Sequence, residues 1–402
     1  MKHGTRAAGP IPEAVGGRTR GERAPAPVEV RPVRSRAERR DFVEFPYAVY
    51  AADPAWVPPL RSEQRHNFSP KSAFFQHAQV QTFVAYRDGR PVGRIAAQVD
   101  ALRIERYGDA TGHFGALEAI DDQPVFDALL GAAEEWLRAQ GMRRVLGPFN
   151  LSINGDIGIL IDGFEHPPVF LTGHGRPYYD ARVQRLGYHK AKDVVAYTLE
   201  ASSAPPRTMV EAARRAREDA RVTIRPVDKS RLGAEAAVIS EIFCDAWERN
   251  WSFVPFTEAE FAELASALKY LVPRDFVQFA EVDGEPAAML VIVPNLNELI
   301  GDLDGRLLPF GWAKLLWRWR TRPTRSARVA LMGVRQKFQA SSLAMALVFG
   351  LIEAVRVSPA VRDMQHLEMG WVLEDNFPLL RVMRLLGGRQ YKTYRVYEKP
   401  LP

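Results

Sequence analysis

Cysteine is nearly absent from this chain of 402 residues, since Cys244 is the only one. A single thiol excludes an internal disulfide and any metal site built from several cysteines, and no metal site is predicted. Long apolar runs are also missing, because no stretch reaches the roughly 18 apolar residues typical of a membrane-spanning helix. The first residues contain no apolar stretch typical of a signal peptide, so we expect a cytoplasmic protein.

The net charge of +6 belongs to one end of the chain. Residues 1–40 hold ten Lys/Arg and four Glu, whereas the remainder holds 44 basic and 44 acidic side chains. Residues 1–26 are rich in Arg, Gly, Ala and Pro and are predicted to form a disordered basic tail. The rest is neutral overall, which does not indicate a generally basic nucleic-acid-binding fold.

One internal segment, 306–337, contains nine Lys/Arg and no acidic residue. A cationic surface of this kind attracts phosphates, acidic substrates or anionic lipid, although a solvated basic loop is the alternative. Three further interpretations are peripheral membrane contact through 306–325, a lid over an acceptor site, and packing against the partner domain. They rest on four apolar side chains of GWAKLLWRWRTR that share one helical face: Trp312, Leu315, Leu316 and Trp319.

The same order of elements occurs twice along the chain. RLGYHKAKDVVAY matches LLGGRQYKTYRVY at an offset of 200, and each half has an earlier strand, helix and Asp-Gly hairpin. We predict an α/β protein with two domains, 27–200 and 221–402, joined by a helical linker at 201–220. Each domain is expected to hold a mixed sheet flanked by helices. The duplication favours an internal pseudo-dimer, in a protein that is a monomer or a dimer.

The second half carries a more specific pattern in 327–397. The strand RVALMGV is followed by a loop, the apolar helix SLAMALVFGLIEAVR, the strand HLEMGWVLEDN, a second helix and a last strand. This order resembles the acyl-coenzyme A-binding half of GNAT-type (GCN5-related) N-acyltransferases, so the whole chain is similar to a tandem GNAT-like protein. The resemblance implies acetyl-CoA or another acyl-CoA as co-substrate and an amine of a small molecule or peptide as acceptor.

The resemblance also implies which residues bind coenzyme A. The family pattern Q/R-x-x-G-x-G/A presents backbone N–H groups at a helix start to a pyrophosphate. Here a Ser replaces the middle Gly of the aligned residues, which are Gln339, Ala340, Ser341, Ser342, Leu343 and Ala344. Further candidates are a backbone amide near the end of the preceding strand, two flanking cations and an asparagine after the next strand: Val334, Arg335, Lys337 and Asn376.

The catalytic groups are less clearly marked. Seven residues after Asn376 the family commonly has a tyrosine that acts as general acid, but this chain has Met383. Tyr391 and Tyr394 on the last strand are candidates to replace it, with cross-strand packing as the alternative role. Glu368 is the first candidate for the general base, because burial among apolar neighbours would raise its pKa. The alternatives are the acidic residues after the strand MLVIVP, which are Glu298, Asp302 and Asp304.

Two polar loops are candidates for binding the acceptor. One follows the strand MLVIVP, and the other lies in GPFNLSINGDIGILIDGF of the first half; turn formation is the alternative for both. The named candidates are Asn295, Asn297, Glu298, Asp302, Asn150, Asn154 and Asp156. The first half has no phosphate loop, and Asp121 and Asp122 at its helix start would repel a pyrophosphate. We therefore expect that the first copy has lost coenzyme A binding.

Three functions are compatible with these observations. The leading hypothesis is an N-acyltransferase that moves an acetyl or other acyl group from coenzyme A to an amine. A second hypothesis is an aminoacyl-tRNA-dependent transferase with tandem GNAT-like domains, because Ser342 departs from the coenzyme A pattern and 306–337 is basic. A third is a non-catalytic acyl-CoA sensor or scaffold, because the motifs of both copies are imperfect.

Overall fold

The computed structural model of this protein describes residues 26–341 and 343–402. The predicted tail therefore lies outside the described residues apart from Ala26, and so does Ser342. The strands of the first half are β1 Glu29–Pro32, β2 Ala78–Arg87, β3 Arg90–Asp100, β4 Thr111–Ala119, β5 Arg144–Gly147, β6 Ile159–Asp162 and β7 His189–Glu200. Those of the second half are β8 Val222–Pro226, β9 Val277–Val282, β10 Glu285–Pro294, β11 Ser326–Val334, β12 His366–Leu373 and β13 Arg389–Pro400.

The helices of the first half are α1 Arg36–Val49, α2 Arg61–Asn67, α3 Ala101–Tyr107, α4 Gln123–Ala139 and α5 Tyr179–Gln184. Those that follow are α6 Arg207–Glu218, α7 Leu232–Trp247, α8 Glu258–Leu268, α9 Asn297–Ile300, α10 Gly311–Thr321, α11 Gln336–Gln339, α12 Leu343–Arg356 and α13 Phe377–Leu385. The strands form one 13-stranded mixed sheet in the order β1-β2-β3-β4-β5-β13-β7-β12-β11-β10-β9-β8, and β6 adds to β13.

The centre of this sheet is built by an exchange of strands between the halves. The last strand of the chain, β13, lies between β5 and β7 of the first half, with Tyr397 opposite Gly147. In return β7 pairs with β12 of the second half, with Tyr197 opposite Met369. The sequence repeat at an offset of 200 therefore marks two strands that lie side by side. The division at 200 and 221 follows the chain, whereas the sheet joins both halves across it.

Local chemistry explains the turns that the sequence predicts. In each half an Asp-Gly pair with positive φ at both residues closes a hairpin: Asp88 and Gly89 join β2 to β3, and Asp283 and Gly284 join β9 to β10. Two positive φ angles match the right-handed twist of the flanking strands, and glycine adopts them without steric cost. Both predicted hairpins are confirmed.

The predicted helical linker is more than a connection. It contains α6, which buries Met209, Ala213 and Ala216. Its partner is α12, where a side chain at Gly350 would come within 3.1 Å of the Ala216 Cβ atom. Close approach of the two helices therefore depends on glycine at that position. The linker thus completes one face of the second half of the sheet.

Candidate active site

In each half a parallel pair of strands separates and opens a wedge. The pairing of β4 with β5 covers Thr111–His113 and Arg144–Leu146. The pairing of β11 with β12 covers Ser326–Val329 and His366–Met369. Beyond these residues the two strands of each pair diverge, so that backbone groups on their inner edges become available for another partner.

In the first half this partner comes from the chain itself. Residues 148–158, called the filling loop below, enter the wedge. The Phe149 N–H donates to Phe114 O at 2.8 Å, and the Ala116 N–H donates to Asn150 Oδ1 at 2.7 Å. The fit is tight, because a Cβ atom at Gly115 would lie 1.9 Å from Phe149 O. The first wedge is therefore closed, and Asn150 has a structural role in closing it.

The wedge of the second half opens into a large cavity. Val329–Met332 of β11 and Met369–Leu373 of β12 line a space of about 1440 Å³, which is called the central cavity below. The backbone N–H groups alternate in direction along β11, so that some of them point toward the central cavity. Because the Arg335 N–H donates to Ala287 O of β10 at 2.9 Å, the N–H of the preceding Val334 points to the opposite side, into the wedge. This agrees with the predicted role of that amide.

The wall of the central cavity is largely apolar and contains many aromatic side chains. Both halves contribute to this wall, which contains six of the eight tryptophans of the chain: Trp56, Trp247, Trp251, Trp312, Trp319 and Trp371. Ligand sites for compact molecules usually occupy about 300–1,000 Å³. The volume and the apolar wall therefore suit a long apolar ligand, or two.

Charged groups gather where the filling loop meets the second wedge. Arg328 Nε donates to Gly370 O at 2.8 Å and lies 3.6 Å from Glu368 Oε1. Asp156 of the filling loop lines the cavity near this guanidinium. Desolvation raises the pKa of Asp156, Arg328 opposes the rise and Glu368 adds to it. A carboxylate with a raised pKa inside a cavity is a candidate general base.

Two further groups in the cavity wall carry no recognisable sequence signal. Desolvation raises the pKa of Glu63, and the charge of Asp156 adds to the effect. His174 Nε2 lies 3.2 Å from Asp53 Oδ2, and burial lowers the pKa of this imidazole. Asp53 and Glu63 lie in and beside an irregular stretch distant in sequence from the GNAT-like motifs. Only the packing of this stretch against the cavity brings them to the site.

The predicted phosphate loop lies directly before α12, as the resemblance implies. Gln339 Nε2 donates to Val334 O at 2.8 Å, which folds the loop back on the end of β11. Arg335 contacts Glu241 at 3.0 Å and Glu285 at 3.1 Å, and Lys337 also pairs with Glu285. Both cations therefore have carboxylate partners that a phosphate would have to replace.

The catalytic residues predicted from sequence lie outside the wall of the central cavity. Glu368 is 3% exposed and accepts a hydrogen bond from the Tyr391 hydroxyl. The Tyr394 hydroxyl donates to Gly173 O at 3.1 Å. Burial raises the pKa of both tyrosines. Within the described part of the chain none of the three lines the central cavity, so their predicted catalytic roles stay predictions without a direct contact to the site.

Asn376 and its counterpart in the first half differ in role. Asn376 lines the central cavity, and its Oδ1 accepts from the Leu379 N–H at the start of α13. Arg176, two hundred positions earlier, donates to Asp53 at 3.0 Å instead. The structure thus brings Asn376 to the open wedge, whereas Arg176 supports the pair formed by Asp53 and His174.

The predicted acceptor residues divide into two groups. Asn150, Asn154, Asp156 and Asn297 line the central cavity. The other three hold loops together. Asn295 Oδ1 accepts from the Phe170 N–H, Glu298 accepts from the N–H groups of residues 325 and 326, and Asp302 pairs with residues 314 and 318. For this second group the turn-forming alternative agrees better with the observed contacts.

The described residues contain neither a candidate membrane span nor a candidate metal cluster. No helix within 26–341 and 343–402 is both long and apolar enough to cross a bilayer. The same residues contain no group of three or more His, Cys, Asp or Glu side chains arranged to hold a metal ion.

Comparison with known proteins gives close relatives. Protein YghO of Escherichia coli is 45% identical over 374 residues, which cover 92% of this chain and 95% of that protein. A bacterial ceramide synthase of Caulobacter vibrioides is 44% identical over 378 residues, which cover 94% of this chain and 98% of that enzyme. This chain belongs to their family. No family model matches it.

Solved structures agree on the fold. A tandem GNAT protein from the clavulanic acid biosynthesis pathway aligns with a TM-score of 0.56 at 14% identity, covering 93% of this chain and 99% of that one. A GCN5-related N-acetyltransferase from Sphaerobacter thermophilus aligns with a TM-score of 0.51 at 12% identity, covering 93% and 96%. The predicted tandem GNAT fold is confirmed. Fold and family together make the protein an acyltransferase, which confirms the predicted enzyme class.

Proposed function

We propose that this protein is an N-acyltransferase that joins a long-chain acyl group, delivered as acyl-CoA, to the amino group of a long-chain amino alcohol. The product is an amide of the ceramide type. The observation that carries the proposal is the central cavity. Its volume of about 1440 Å³ is larger than an acetyl group and a small amine require, and its wall is apolar with many aromatic side chains. The name of the relative from Caulobacter vibrioides supports the same substrate class.

Acyl-CoA binding is assigned to the second half. Its wedge is open and meets the start of α12, a helix of 14 residues whose N-terminal amides and dipole favour a pyrophosphate. Ala340, Ser341 and Ala344 are small residues at this helix start, and the Val334 amide is directed into the wedge. The filling loop occupies the equivalent wedge of the first half, so one acyl-CoA per chain is expected.

Asp156 is proposed as the general base. The amine nitrogen attacks the thioester carbonyl, so that a C–N bond forms, the C–S bond breaks and coenzyme A leaves as the thiolate. The amine loses one proton, which the Asp156 carboxylate accepts and passes to solvent or to the leaving thiolate. A raised pKa brings this carboxyl group closer to the operating pH, which makes proton transfer more efficient.

The test is an amide-formation assay followed by mass spectrometry. Purified protein receives palmitoyl-CoA or acetyl-CoA together with sphinganine or ethanolamine, in all four combinations. We expect the amide from the two long-chain substrates to form at least about 100-fold faster than any other product, because only this pair fills the apolar cavity. Product from acetyl-CoA and ethanolamine alone, or a strict requirement for added tRNA, would contradict the proposal.

A matched pair of variants tests the base. Asp156→Asn is expected to lower kcat about 100-fold or more, within the range typical of a lost general base. The control is Asp162→Asn, which is expected to retain wild-type turnover because Asp162 is exposed at the end of β6. Equal rates in both variants would remove Asp156 from the mechanism while leaving the substrate assignment intact.

A further inference from the structure

A compact group of apolar side chains around α10 faces solvent. Leu308 is 78% exposed, Phe310 77%, Trp317 55% and Trp312 53%. Clusters of large exposed apolar residues are unusual in a protein surface and mark interaction sites. We call residues 306–325 the α10 surface.

The α10 surface is also basic. It carries six Lys/Arg, and among the described residues the side chains of three of them form ion pairs with Asp302 or Asp304. Lys314 and Arg318 pair with Asp302, and the Arg322 guanidinium lies 5.2 Å from the centre of the Trp317 ring. Tryptophan next to arginine is typical of segments that rest at the boundary between water and a lipid bilayer.

The same helix forms part of the central cavity wall. Trp312, Leu315, Leu316 and Trp319 line the cavity. Tyr270 also lines it and is 77% exposed. Because Trp312 and Tyr270 each contact both the cavity and solvent, the mouth of the cavity lies beside the α10 surface. A partner bound at this surface would therefore meet the cavity mouth directly.

We propose that the α10 surface docks on an anionic phospholipid bilayer, with Leu308, Phe310 and Trp317 inserted among the lipids and the arginines against the phosphate groups. Charge complementarity and the aromatic composition favour a bilayer over a second copy of the chain, whose matching surface would be equally cationic. Docking would place the cavity mouth on the membrane, from which apolar molecules can enter without crossing water.

The experiment is co-sedimentation of the full-length protein with vesicles. Vesicles of phosphatidylcholine alone are compared with vesicles that contain 30 mol% phosphatidylglycerol, at about 0.1 M and about 0.5 M NaCl, since salt screens exposed charges. We expect binding to the anionic vesicles to be at least about tenfold stronger and to weaken at high salt. Equal affinity for both vesicle types, or no binding to either, would overturn the proposal.

Variants separate the α10 surface from other contacts. The triple variant Leu308→Ser, Phe310→Ser, Trp317→Ser changes side chains outside the cavity wall and is expected to lose about tenfold or more in vesicle affinity. Val357→Ser is the control, because Val357 is 62% exposed at the end of α12. Arg306→Glu with Arg322→Glu should weaken anionic binding alone. Wild-type vesicle affinity in both surface variants would overturn the assignment. It would also be overturned if the wild-type α10 surface bound a second copy of the chain or RNA and did not bind vesicles.

Discussion

The two halves of this protein share one fold, but the wedge between their parallel strands is closed in the first half and open in the second. In the first half, Phe149 and Asn150 occupy the wedge between the parallel strands and satisfy its backbone groups. In the second half, the corresponding wedge opens into the central cavity. The filling loop does more than close the first wedge, because it also places Asp156 in the cavity wall, near Arg328 of the second half. The first half thus contributes side chains to the wall of the cavity at the wedge of the second half.

Repeat-equivalent lysines show the same divergence. Lys192 on β7 pairs with Asp375 at 2.7 Å, at the surface. Lys392 on β13 is fully buried, donates to Pro167 O at 3.1 Å, and has its pKa lowered to about 8 by desolvation. The strand exchange explains the difference, since it places Lys392 under the first-half segment that covers the sheet. Equal residues at equal repeat positions therefore need not share a role.

The largest expected effect tests which half binds acyl-CoA. Ala340→Trp places a large side chain at an exposed position in the loop before α12. It is expected to reduce acyl-CoA affinity at least about 100-fold, because the phosphate groups could no longer approach the backbone closely. Calorimetric titration measures the affinity.

The matched change in the first half is Asp121→Trp, before α4. Asp121 has a side chain that is 55% exposed, and this variant should bind acyl-CoA like the wild type. A loss of binding in the first-half variant alone would reverse the comparison between the halves.

A second prediction concerns the closed wedge. Phe149→Ala removes a side chain that is 2% exposed. It is expected to lower the free energy of unfolding by about 3–5 kcal/mol, measured by chemical denaturation. It should not create a second acyl-CoA site. Phe377→Ala serves as control, since Phe377 is 71% exposed and should change stability by less than about 0.5 kcal/mol. Two bound acyl-CoA molecules in the Phe149 variant would show that the first half retains its own site.

The smallest effect separates function from stability at Asp156. In the folded state desolvation raises this pKa above its unfolded value, so deprotonation costs stability once the pH exceeds the unfolded value. Asp156→Asn removes that cost and should raise Tm by about 2 °C at pH 7.

The gain in Tm should shrink as the pH falls toward the ordinary carboxyl range, where the wild-type group is protonated in both states. Differential scanning calorimetry at several pH values tests this pattern. A Tm of the variant below that of the wild type at pH 7 would mean that Asp156 forms a net stabilising ion pair.

Much of the fold follows from local patterns in the sequence. The Asp-Gly hairpins, the helix stops at Gly187 and Gly387 with their positive φ, and the loop before α12 depend on contacts within a few residues. Such contacts leave a readable signature, because turn and cap geometry demand particular side chains. The repeat at an offset of 200 reports the duplication in the same direct way.

Only part of the candidate site can be predicted from the sequence. Asn376 and the Gln339 to Ala344 segment are predicted from their place in a family pattern, and Asn154 from a loop dense in Gly and Asn. Glu63 and the pair formed by His174 and Asp53 are not, because no short-range spacing connects them. Glu368 is buried, as expected, but among the described residues it does not line the central cavity, so its predicted role as general base stays a prediction.

The sequence by itself determined the element order, the duplication and the family-like loop, since each is encoded by residues close together in the chain. Only the tertiary structure decided that β7 and β13 exchange partners, that the filling loop closes one wedge, and that Asp156 of the first half lies near the Arg328 guanidinium of the second. These features depend on which surfaces pack once the strands are formed. Packing between distant segments depends on shape and burial, which no local pattern records.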